Sequence, residues 1–202
     1  MDERERVLRD AREMQVLAHP VRMRLKQALY ERGSATATEL AEMIGESPAN
    51  CSWHLRQLAK YGFVEEAGGG KGRNRPWRPV ARSLSWGDSD ESGEVAAASD
   101  ALSTQFVEQE FAGLRDWQAW RRTDPSEWQD AANWVQNIDW LTLEELQELN
   151  KALVEIVCRH RKRRNPADRP AGARRVRIFA WAVPAEPYAA DTPMPGSDGG
   201  DR

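Results

Sequence analysis

The chain has 202 residues, 40% hydrophobic and 30% charged, enough for one large domain or two small ones with a real core. Its formal net charge of -3 conceals a split: Lys and Arg outnumber Asp and Glu by 14 to 11 over residues 1–80, and are outnumbered by 15 to 21 beyond. No apolar run reaches bilayer length and the start, MDERERVLRD, is charged where a signal peptide is apolar, so a cytoplasmic protein without a membrane partner is expected.

Residues 3–17 carry Val7, Leu8, Ala11, Met14 and Leu17 at helical spacing and predict a first helix. Pro20 suits the first turn of a second helix with Val21, Leu25, Ala28 and Leu29 on its apolar side, stopped at Gly33. Thr36 and Glu39 form a T-x-x-E capping box for a short helix that ends at Gly45. Ser47 followed by Pro48 opens the next helix, closed by Gly62. Two capped helices separated by Gly45-Glu46 have the layout of a helix-turn-helix. Residues 63–66 and 75–80 then read as strands around GGGKGRN, a hairpin confined to a sheet edge by Pro76 and Pro79.

Residues 86–94 read as a linker, and a long helix follows over about 95–122 with Leu102, Phe106, Phe111, Leu114 and Trp117 in helical period. Asp124-Pro125 breaks it, and Ser126-Glu127-Trp128 starts one more turn. Trp134, Ile138 and Trp140 alternate with polar residues and predict a strand over 133–140. Thr142 and Glu145 make a second capping box for a helix that ends near Pro166, and residues 174–183 predict another strand. The expected fold class is therefore α+β, mainly α: a winged helix-turn-helix, a long helix and a small strand-helix-strand region. The expected domains are 1–85 for DNA binding, 95–184 for dimerisation or effector binding, and a disordered tail over 185–202.

Turned at about 100° per residue, the helix opened by Ser47 places Cys51, Leu55 and Leu58 on its core side. Ser52, Trp53, Arg56 and Gln57 fall on the opposite side, with Asn50 and His54 on the flanks. Arginine pairs bidentately with guanine and Gln or Asn with adenine, while hydroxyls take phosphate or base edges. Lys71, Arg73, Asn74 and Arg75 at the glycine-rich hairpin suit backbone phosphate or the minor groove. Potential matters over a Debye length of roughly 8 Å, so the local basic patch outweighs the negative total. Double-stranded DNA is the expected partner.

LAHPVRMRLKQAL, TATELAEMIGESPANCSWHLRQLAKYGFVEE and the basic hairpin together resemble the arsenic-repressor (ArsR) family of winged-helix regulators over residues 12–80. The resemblance implies a homodimeric transcriptional regulator, usually a repressor. Thiolate-sensing members carry a C-x-C pair near the first helix of the turn motif, and Ser34–Gly45 contains no cysteine. Cys51 and Cys158 are the only cysteines, too few for a closed zinc site, so no metal or other cofactor is expected. No nucleophile–base pair stands at recognisable spacing and GGGKGRN lacks the ending of a phosphate loop, so no catalytic residues are assigned and enzymatic activity is not expected. A winged-helix protein-interaction module is the alternative. Seven of the nine tryptophans lie beyond residue 80, which fits a pocket for a small organic effector or, as such residues are more often used, a core and dimer interface.

Overall fold

The computed structural model describes residues 6–68, 75–80, 84–87, 90, 92–164 and 166–187. Lys71, Arg73 and Asn74 of the hairpin, and the tail beyond 187, lie outside the described residues. The elements in chain order are β1 (Arg6–Val7), α1 (Ala11–Leu17), α2 (Pro20–Arg32), α3 (Ala37–Ile44), α4 (Pro48–Lys60), β2 (Val64–Glu66), β3 (Trp77–Pro79), β4 (Leu84–Ser85), α5 (Gly93–Trp120), α6 (Ser126–Ala131) and α7 (Leu143–Cys158). The fold is mainly α, with a winged helix-turn-helix at its N-terminal end.

Local chemistry sets most helix limits. The Thr36 hydroxyl accepts from the Glu39 N–H while the Glu39 carboxylate accepts from the Thr36 N–H, and Thr142 and Glu145 repeat the box at α7. Ser47 caps α4 through the Asn50 N–H with Pro48 in the first turn. Gly45 ends α3 in the left-handed conformation at φ 67°, which lets the Glu46 N–H return to the Ala41 carbonyl and turns the chain into α4.

The core lies between α1, α2, α3, α4 and the first half of α5. Leu8, Met14, Leu25, Leu29, Leu40, Leu55 and Leu58 are fully buried, and Ala98 and Leu102 join them from α5. β2 and β3 pair antiparallel with Val64 opposite Pro79, and Trp77 exchanges two backbone hydrogen bonds with Ala35. Together these make the small sheet at the base of the wing.

Two expectations are corrected. The first helix covers only 11–17, because the Asp10 carboxylate accepts from the Arg12 N–H and starts it there. Residues 6–7 instead pair in parallel with 84–85, and Arg6 is anchored to the Tyr61 carbonyl and Glu13. The two strands expected over 133–140 and 174–183 form no ladder among the described residues, so the region around α7 is not a strand-helix-strand sheet. Alternating hydrophobicity records which faces seek cover. It does not supply a neighbouring strand. The chain falls into two compact units, 1–129 with 161–174, and 130–160 with 175–202; α5 lies in the first and packs on α1.

Candidate nucleic-acid interface

α4 is positioned from both sides. Its inner row, Cys51, Leu55 and Leu58, is buried among α2 and α3 as its periodicity requires. At its N-terminal end, Arg24 of α2 donates to the Ile44 carbonyl at 2.8 Å and to the Glu46 carboxylate at 2.8 Å. Glu46 also accepts from the Asn50 side-chain amide at 2.9 Å. These partners, Asn50 first and then Arg24, hold the Glu46 carboxyl below the usual range. The turn between the two helices is therefore fixed by side chains as well as by Gly45.

On the outer face Ser47 and Arg56 are exposed, and Ser52 and Gln57 are half-buried. Arg56 donates to the Ser52 hydroxyl at 2.8 Å, one helical turn back, which aligns the guanidinium along the helix. Trp53 is 48% exposed and sets its ring edge against His54 at 4.7 Å. Two of the expected site residues thus hold the turn or the cap: Asn50 is bound to Glu46, and the Ser47 hydroxyl is bound to a backbone N–H. On the hairpin, Arg75 pairs with Glu66 at 2.9 Å and Arg78 with Glu65 at 2.8 Å. Exposed pairs of this kind are worth about 0–1 kcal/mol, so a phosphate competes readily for either guanidinium.

His54 does not belong to the DNA-facing set. It is only 4% exposed and packs against the His19 ring, tilted to it with centroids 4.6 Å apart. Helical spacing alone put it on a flank; the neighbour that covers that flank, His19, comes from the turn before α2. His19 is itself the N-cap of α2, its Nδ1 accepting from the Val21 N–H at 3.2 Å. Sequence reasoning missed this pair, although an N-cap histidine before Pro20 was a usable signal.

Both imidazoles are pushed below their ordinary pKa, toward the neutral form. Burial and then Arg22 lower the His19 pKa below its ordinary 6.5. Burial, His19 and Arg22 do the same for His54. The His54 Nδ1 is buried with no hydrogen-bond partner, and protonating His19 at Nδ1 would remove the cap acceptor. Between the native and unfolded values the unfolded chain binds more protons, so stability rises with pH there. The contribution is complete above pH 6.5 and is lost as pH falls through the lowered native values. A thermal melt at pH 5.5 should therefore show a lower Tm than one at pH 7.5. In His54→Phe, which keeps a ring and removes the titration, that difference should shrink; an undiminished one would exclude the histidine pair as its cause.

Burial raises the Cys51 thiol pKa, with Glu46 adding to it, as suits a small core residue rather than a thiolate ligand. Among the described residues no group of three or more His, Cys, Asp or Glu side chains is placed to hold a metal ion, and no helix is long and apolar enough to cross a membrane.

The chain matches no curated protein. Residues 17–67, about a quarter of the chain, match the family model described as a helix-turn-helix domain. That span runs from the end of α1 through β2, so the segment that places α4 is a helix-turn-helix unit, which supports a DNA-binding regulator.

Proposed function

We propose that this protein is a transcriptional regulator, most simply a repressor of the arsenic-repressor type, that binds duplex DNA as a homodimer. The outer face of α4 carries the reading: Ser52, Arg56 and Gln57 present donors and acceptors from a helix whose opposite face is locked into the core. In the major groove, Arg56 reads guanine, Gln57 reads adenine and Ser52 supports either. The hairpin arginines, together with Lys71 and Arg73, meet phosphate beside the groove. Two copies place two such helices on a palindromic site with half-sites about 34 Å apart. The protein acts in the cytoplasm by occupancy, without turnover and without a thiolate-bound metal.

The test is binding of the purified chain to the DNA upstream of its own gene, followed by gel shift or fluorescence anisotropy from 50 to 200 mM salt. Specific retention over scrambled duplex is expected. Log K should fall linearly with log salt, by roughly 0.9 per phosphate neutralised. Binding that is absent, or equal for both duplexes, would leave the winged helix as a protein-interaction module.

A further inference from the structure

The unit formed by residues 130–160 and 175–202 has a property the helix-turn-helix unit lacks: none of its described residues is buried. Its centre is the amphipathic helix α7, flanked by segments 132–141 and 175–183, which belong to no helix or strand. The second segment lies along the helix, where the Asn150 side-chain amide donates to the Ala182 carbonyl at 3.1 Å. At about 100° per residue the apolar arc of α7, from Ile156 to Val154, covers a little less than half its circumference. Leu146, Asn150, Leu153 and Cys158 are half-covered; Leu149 and Ile156 on one side, Leu143 and Val154 on the other, and Val157 between them stay exposed. Along the segments, Val135 is 85% and Trp140 89% exposed.

Most of the large hydrophobic side chains left exposed among the described residues fall in this one unit. Their exposed surface is on the order of 1,000 Å², above the roughly 800 Å² that each partner of a stable specific complex buries. Patches of that size do not persist on a monomer in water. Residues 132–141 alternate as a strand does, and 175–183 begin alternately and then run apolar, yet neither segment joins a ladder among the described residues.

The charges identify what completes it. Over residues 130–150 the chain carries Asp130, Asp139, Glu144, Glu145 and Glu148 and no base; over 175–183 it carries Arg175 and Arg177 and no acid. One copy thus bears both halves of a complementary pair, as an isologous interface requires. We infer that this unit is the dimerisation surface, in which residues 132–141 of one copy pair as a strand with residues 175–183 of the other. The two crossings are equivalent, and the same association covers the apolar arcs of both α7 helices. This inference rests on the homodimer reading and names its interface; it does not depend on DNA binding.

The full chain is tested by sedimentation equilibrium and by hydrogen exchange. A dimer is expected, with amides of 133–141 and 175–183 exchanging on the order of 100-fold slower than an unpaired chain and losing protection on dilution. Two charge-reversed chains follow: Arg175→Glu with Arg177→Glu, and Asp139→Lys with Glu144→Lys. Each alone should dissociate at concentrations where the wild type is dimeric, and mixing the two should restore a dimer, since both crossings then join opposite charges. Far-UV circular dichroism checks that each variant keeps its helices, and the exchange result on the wild type needs no variant. A dimer with unprotected segments, or reversed chains that dimerise alone as well as the wild type, would place the interface elsewhere. A monomeric wild type would overturn both this inference and the homodimer. A protected dimer that binds no DNA would overturn the regulator alone.

Discussion

Leu55→Ala should destabilise the helix-turn-helix unit by about 2–5 kcal/mol, the range for truncating a fully buried leucine. Leu55 sits in the inner row of α4, where the recognition helix meets α2 and α3, and it has no exposed surface. A domain holds only about 5–15 kcal/mol in total, so the loss is a large share of it. A fall in Tm of roughly 5–15 °C is expected in a thermal melt. Leu55→Met conserves volume and should cost less than about 1.5 kcal/mol. DNA binding by the alanine variant should fail near its lowered Tm and return on cooling, because no contact to DNA has been removed. An unchanged Tm would mean that α4 is not seated on the core as described.

Arg56→Ala should do the reverse. The side chain is exposed and hydrogen-bonds to Ser52, so stability should stay within about 0.5 kcal/mol. Affinity for the specific site should fall by about 1–3 kcal/mol, some 5- to 150-fold, while affinity for unrelated duplex falls much less. Arg56→Lys separates the two uses of the charge. Lysine retains the positive charge but not the planar fork, so it should rescue a phosphate contact and leave a bidentate guanine contact broken. Full rescue by lysine would move Arg56 from base reading to backbone positioning. No loss in the alanine variant would remove α4 from its proposed place in the groove.

These two neighbours show how far the chain could be read in advance. Leu55 and Arg56 separate to opposite faces by helical period alone, once Ser47 and Pro48 fix where the helix starts. The capping boxes at Thr36 and Thr142 and the glycine stop at Gly45 were legible for the same reason: each is satisfied within a few residues. Spacing also anticipated which residues of α4 leave the core, with Arg56 exposed and Ser52 and Gln57 half-buried. It was not legible at His54, where the deciding contact lies 35 positions away in His19.

By itself, then, the sequence determined the helices, their caps and the order that makes a helix-turn-helix, because those depend on hydrogen bonds and periodicity within one or two turns of chain. The tertiary structure decided what distant segments do to one another. It drew Arg6 and Val7 out of a helix into a parallel pair with Leu84 and Ser85, buried His54 against His19, and gave the first half of α5 to the N-terminal core. It also left 132–141 and 175–183 outside any ladder among the described residues and largely exposed, since hydrophobic patterning specifies that a face must be buried but cannot specify by which chain.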